Sequence, residues 1–290
     1  MVKRFVRRAL RRFGYDILKV PPTPRVVVGA EPPAVAPVWP LPRRAAQLSD
    51  DDIRRAFAGH SFWHYAYEFE GGLSFRTSHV NPGLDTDRPE RPLQRFRHFM
   101  PYVVQAQGGS LKGKRVLDIA CNSGFWAIQC ALLGAEVVAF DARPELIAEA
   151  NLLKRITGAE SVDFRVLDFW QMSPETLGGT FDVVLNLGFL YHVPKPVEAL
   201  ERTKRMTRRH ILLDTGLHPS EEPALYLKWE ESIDIRMAAD EGVVAVPTKR
   251  GVELMLRHLR VRSAVEIPVR TRDLPLDYLT GRRASWLIEV

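Results

Sequence analysis

The sequence is poor in features that define whole classes of protein. It holds only two cysteines in 290 residues, Cys121 and Cys130, without the spacing of a secreted disulfide framework, so a reducing cytoplasm is expected. No apolar run approaches the roughly 20 residues that cross a bilayer, and the N-terminus lacks the uncharged hydrophobic segment of a secretory signal. The expectation is a soluble, cytoplasmic chain that is not exported by that route. A phosphate loop ending in Gly-Lys-Ser/Thr is missing. So is a dinucleotide fingerprint: the one strand-turn-helix segment that could carry it has Ala120, Asn122 and Phe125 where its three glycines would stand. His60, His64, His79 and His98 are scattered without ligand spacing, and the cysteines make no zinc pattern with them, so no metal is expected.

The positive charge is unevenly placed. The net charge is +6, and residues 1–20 hold seven Lys and Arg against one Asp, so the arm carries the whole excess and the remainder is formally neutral. Within the arm, Val2, Phe5, Val6, Ala9, Leu10 and Phe13 recur at three- and four-residue steps between arginines, the pattern of a basic amphipathic helix. Such a helix suits the inner membrane surface as a peripheral contact, a nucleic-acid backbone, or packing on the body or another subunit. Membrane contact is the preferred functional reading and nucleic acid the lesser one; no oligomeric state follows. Residues 21–48 are proline-rich, which predicts an extended linker tethering the arm at a distance. Ser49, followed by three aspartates, predicts a helix start and the beginning of the folded body.

The segment "RVLDIACNSGFWAIQCALLGAEVVAFD", residues 115–141, reads as strand, turn, helix, turn, strand. In a parallel α/β sheet ligands settle at the carboxyl ends of the strands, and an acid ending the second strand, here Asp141, is placed to accept hydrogen bonds from ribose hydroxyls. Without a pyrophosphate-binding turn, this predicts a site for an adenosine ligand that has no pyrophosphate.

On these residues the chain resembles the class I S-adenosylmethionine-dependent methyltransferases through most of residues 113–290. Their first motif corresponds to Asp118 through Gly124, with Ala120 and Asn122 departing from the more usual glycines. The resemblance implies a Rossmann-like α/β fold with a doubly wound, mostly parallel seven-stranded sheet, and S-adenosyl-L-methionine as cofactor. It places Asp118, Ala120, Cys121, Asn122, Gly124, Asp141 and Ala142 at the cofactor. It adds Asp168 and Phe169 beside the adenine, and Asn186, Leu187 and Gly188 in the strand motif bordering the methyl group. Asp168 equally suits a helix cap and Phe169 a core aromatic. More narrowly, "FLYHVPKPVEALERTKRMTRRHILLDT" is similar to the group that includes the tRNA wobble-uridine carboxymethyltransferases. The carboxymethyl-transferring members have an arginine after the Tyr-His pair, where this chain has Val193, and a Lys-Gly-Pro-Phe segment that is missing here. Ordinary S-adenosylmethionine is therefore expected.

Other patterns agree with this architecture. A helix opened by Pro144 and closed by Gly158, and apolar runs at 162–167, 181–187 and 211–213, alternate as a doubly wound sheet requires. Residues 49–112 are expected to form an N-terminal cap, with Trp63, His64, Tyr65 and Tyr67 in its core, and residues 219–247 a substrate-side insertion. Methyl transfer from a sulfonium needs an aligned nucleophile and a dry site. His192 is the candidate general base, and Tyr191 the candidate to orient substrate or cofactor. Three readings follow: methylation of a hydroxyl on a small molecule, sugar or lipid-linked glycan; modification of tRNA; or a cofactor-binding module without catalysis.

Overall fold

The computed structural model describes residues 31–45, 47–60, 63–76, 90–232 and 237–290. The basic arm, the first ten residues of the expected linker and His79 lie outside them. Ser49 caps the first helix, α1 (Asp50–Ala58), in a capping box with Asp52, so two otherwise unpaired amides at the helix start find partners. Helix α1 buries Ile53 and Phe57. Phe57 stacks on Trp63 at 4.2 Å and on Phe75 at 3.7 Å. Phe75 belongs to a short antiparallel pair, β1 (Tyr67–Glu68) and β2 (Ser74–Phe75). Trp63, Tyr65 and Tyr67 of the aromatic segment join the apolar core that continues to Val116, Phe125 and Trp126. The Tyr67 hydroxyl shares a 2.6 Å hydrogen bond with Ser123, joining the cap to the turn of the first motif.

The boundaries expected from sequence are corrected at two places. Residues 38–45 do not hang free as a linker. Val38 exchanges two hydrogen bonds with the Gln129 side chain, Leu41 is fully buried, and the Arg44 amide donates to the Ile156 carbonyl. Proline removes amide donors only at its own positions, and the amides between the prolines are used. Second, α2 (Arg91–Ala106), within the residues expected to form the cap, packs on the main sheet and its helices. Phe96 stacks on Trp126 and Arg95 pairs with Asp214 of the sheet.

The main sheet has the order β10-β11-β7-β6-β3-β4-β5. Strands β3 (Arg115–Ile119), β4 (Glu136–Asp141), β5 (Val162–Val166), β6 (Phe181–Leu187) and β7 (Thr207–Gly216) run parallel. Strand β11 (Arg283–Glu289) is antiparallel to β7 and to β10 (Ser263–Glu266). Both faces are covered, so side chains alternate between two apolar cores. Val116, Val183 and Leu185 join the core containing α3 (Phe125–Leu132) and α4 (Pro144–Thr157). Leu117, Ile119 and Val184 join the core containing α5 (Pro196–Arg205) and α6 (Lys249–His258). A separate antiparallel hairpin, β8 (Leu225–Glu230) and β9 (Gly242–Pro247), lies between β7 and α6, and α7 (Leu276–Leu279) precedes β11.

Gly124 sits where α3 begins, with φ +83°. A Cβ there would lie 2.6 Å from Phe164 Cζ and 3.0 Å from Ala150 Cβ. Gly124→Ala is expected to destabilise the fold by about 1–3 kcal/mol through overpacking and left-handed backbone. Thermal unfolding measures it; an unchanged midpoint would mean the Phe164 ring yields freely.

Candidate active site

Strand order reverses at β3, whose two neighbours are β4 and β6, and that switch point is where an open α/β sheet leaves a crevice. A cavity of about 370 Å³ occupies it. Of the residues singled out from sequence, Asp118, Ala120, Cys121, Asn122, Asp141, Ala142, Phe169, Leu187, Gly188, Tyr191 and His192 all line this cavity. Three do not. Gly124 packs under the turn against Phe164. Asp168 caps the turn Phe169–Gln171 by accepting from the Trp170 amide at 2.9 Å. Asn186 is buried and donates to Thr203 at 3.2 Å, because alternation along β6 turns it away from the mouth.

The β3 turn is built tightly. Ala120 and Asn122 have φ of +52° and +51°, at the same two positions where the first motif departs from glycine. Asparagine tolerates this region, whereas alanine there stores about 1–2 kcal/mol of strain. The turn is held to β4: the Asn122 amide donates to Asp141 Oδ2 at 3.0 Å, and the Arg143 amide to Oδ1 at 3.1 Å. A carboxylate has about four acceptor sites, so each Asp141 oxygen keeps capacity for a further donor. Burial raises the Asp141 pKa, and these amides oppose the shift. Asp118 lies deeper. Burial, with the nearby Asp141 charge, pushes its carboxyl up to about 8, and its Oδ2 is buried with no hydrogen-bond partner among the described residues. A buried acceptor without a donor favours a ligand that brings one. Together, Asp141 at a strand end, the unsatisfied Asp118 oxygen and the Phe169 ring fit an adenosine group carrying an amino-acid tail.

The rest of the cavity lining draws on distant parts of the chain. His192 Nδ1 is hydrogen-bonded to Glu230 Oε1, and its Nε2 has no partner among the described residues. Glu230 also takes Lys228 Nζ at 2.7 Å and the Ala238 amide at 2.8 Å. Burial pushes the Glu230 pKa up, but the hydrogen bond and charge of His192 win and hold it down at about 2. Burial alone would lower the His192 pKa; Tyr191 and Glu230 raise it above its ordinary value. Tyr191 accepts from Arg283 Nη2 at 2.8 Å. Enclosure raises its pKa, yet the guanidinium outweighs this and brings it to about 8.

Behind Tyr191, buried Asp214 accepts from Arg95 at 2.7 Å, Arg283 at 2.6 Å and Ser285 at 2.7 Å, and also from the Tyr278 hydroxyl. Asp277 takes Arg91 in a two-point pair at 2.6 and 3.1 Å, and Arg283 Nε at 2.9 Å. Arg91, Arg95, Arg283, Asp277, Lys228 and Glu230 all line the cavity, and none was singled out from sequence. The one available signal was Asp214, a lone charge inside the apolar run "ILLDT".

This fold and site define an α/β enzyme of the class I S-adenosylmethionine-dependent methyltransferase type. A family model described as "Methyltransferase domain" matches residues 87–258, more than half of the chain, and the chain belongs to that family. It is 35% identical over 132 residues to a ubiquinone biosynthesis O-methyltransferase of Xanthomonas oryzae pv. oryzae, covering 44% of this chain and 53% of the relative. A counterpart in Xanthomonas axonopodis pv. citri is 37% identical over 117 residues, 40% of this chain and 48% of that protein. The chain thus spans about half the length of the curated relatives it matches. Among solved structures, the N-terminal domain of EvdMO1, crystallised in the presence of SAH and D-fucose, superposes with a TM-score of 0.62 at 21% identity, over 85% of this chain and 98% of that one. That likeness is one of fold.

Proposed function

We propose that the protein transfers a methyl group from S-adenosylmethionine to a hydroxyl oxygen of a small molecule, sugar or lipid-linked glycan. The observation that carries this reading is that one cavity is lined by a strand-end acid, by a buried acceptor unsatisfied among the described residues, and by a histidine hydrogen-bonded to a buried carboxylate. The relatives named O-methyltransferases support oxygen as the acceptor atom.

When bound, the cofactor supplies a methyl group already activated on a sulfonium. Asp141 would accept the ribose hydroxyls and Asp118 an N–H donor of the amino-acid tail, while Phe169, Leu187, Gly188 and the turn from Ala120 to Asn122 would enclose the rest. His192 Nε2 takes the proton of the attacking hydroxyl as the oxygen becomes nucleophilic. Tyr191, fixed by Arg283, orients the acceptor.

Asp141→Ala should weaken binding of S-adenosylmethionine by about 1.5–3 kcal/mol, the value of hydrogen bonds to a charged acceptor. Calorimetric titration of the two proteins measures it, and equal affinity would remove the ribose role. The reading includes contact of residues 1–20 with the cytoplasmic face of an anionic membrane, supported by the arm's arginines and apolar stripe.

A further inference from the structure

The hairpin β8–β9 does more than wall the cavity. Its last β8 residue, Glu230, is a carboxylate with only 2% of its side chain exposed, held in register by the Ala238 amide and Lys228. A buried carboxylate is strongly disfavoured unless donors satisfy it, and one of its hydrogen-bond partners is the His192 ring. An ionised carboxylate only accepts hydrogen bonds, so the ring nitrogen facing it must carry the proton. That leaves Nε2 as the lone-pair nitrogen, and His192 lines the cavity. We propose that Glu230 is a positioning residue for His192, fixing the Nδ1–H tautomer and the ring plane so that Nε2 meets the acceptor hydroxyl as a base. The proposal rests on the reading of His192 as the base.

The arrangement also tunes charge. The groups facing His192 are Glu230 and Lys228 from β8 and Tyr191 from its own turn, with Arg283 of β11 and Asp214 of β7 behind Tyr191. Glu230 supports an imidazolium and Lys228 opposes it. Since the proton arrives at Nε2 and leaves a positive ring hydrogen-bonded to a negative carboxylate, Glu230 stabilises the protonated base as the hydroxyl gives up its proton. The step balances: the hydroxyl O–H bond breaks, the N–H bond forms at Nε2, and the oxygen electron pair goes to the methyl carbon as the carbon–sulfur bond releases its pair to sulfur.

The test is nitrogen-detected histidine NMR on the full-length protein in the resting state, with His192→Gln used to assign the signal. In the unsubstituted protein Nδ1 should carry the proton at pH 8.5, and the His192 midpoint should lie above 6.5. In Glu230→Gln, which keeps shape and an acceptor oxygen, the midpoint should fall by about one unit. In Lys228→Gln, on a half-exposed side chain, it should rise. Circular dichroism checks that both variants are folded. An unprotonated Nδ1 in the parent protein, or a midpoint unmoved by both folded variants, overturns the proposal. The base reading is tested separately, by turnover of His192→Gln. If Glu230→Gln moves the midpoint while His192→Gln keeps full turnover, positioning of the ring stands and its use as a base falls.

Discussion

Asp214→Ala is expected to destabilise the protein by about 3–5 kcal/mol, the range for removing one partner of a buried charge pair. The carboxylate is fully buried and accepts from two guanidiniums and two hydroxyls. Truncation leaves Arg95 a buried cation without its carboxylate and Arg283 with Asp277 alone. Urea denaturation measures the change, and a loss under about 1 kcal/mol would mean that water enters and solvates the arginines. The pH dependence has a definite sign. Although burial acts to raise it, the two arginines hold the Asp214 pKa well below its ordinary 3.8. The folded value is therefore lower than the unfolded one, so the stabilisation is complete above the unfolded pKa and is lost as pH falls towards the folded value. Acid unfolding of the parent protein should show this loss below about pH 4; Asp214→Asn should show a flatter profile.

His192→Gln should lower kcat/KM by about 10²–10⁴-fold on the first hydroxyl acceptor that the parent enzyme turns over, the usual contribution of a positioned base. Cofactor affinity, read by calorimetry, should change far less than turnover, because the substitution leaves Asp141 and Asp118 in place. The pH profile adds a second check. A base is active only when unprotonated, and the His192 pKa is raised. The acid limb of kcat/KM should therefore bend at a pH above 6.5, with activity falling tenfold per unit below it. A pH-independent rate in the parent, or equal turnover in the variant, would exclude His192 as the base.

The first half of the site was legible because it is local. From Arg115 to Asp141 a strand, a turn, a helix and a strand follow one another without interruption, and periodicity with one acid at each strand end places Asp118 and Asp141 together. The lining around Tyr191 and His192 has no such local trace. Arg91 comes from α2, Glu230 and Lys228 from an inserted hairpin, and Arg283 from the last strand; only closure of the sheet brings them to Tyr191 and His192. The residues that stand away from the expected places do so for equally physical reasons. Asn186 is next to Leu187 in sequence but on the opposite face of β6, and Asp168 spends its carboxylate on the Trp170 amide. Prolines between 32 and 42 suggested a tether, although the intervening Val38 and Leu41 have a donor and a side chain that the body can use.

Arg143 ties these two halves into one linkage. Its amide donates to Asp141, and its guanidinium donates to the Met237 and Ala238 carbonyls at 3.2 and 2.9 Å. The Ala238 amide in turn holds Glu230, which holds His192. The β4 strand end and the β8–β9 segment are consequently not independent walls of the cavity. Any ligand that binds against Asp141 and seats Arg143 more firmly would also steady the hairpin, and by reciprocity a second ligand steadying the hairpin would tighten the first by the same factor.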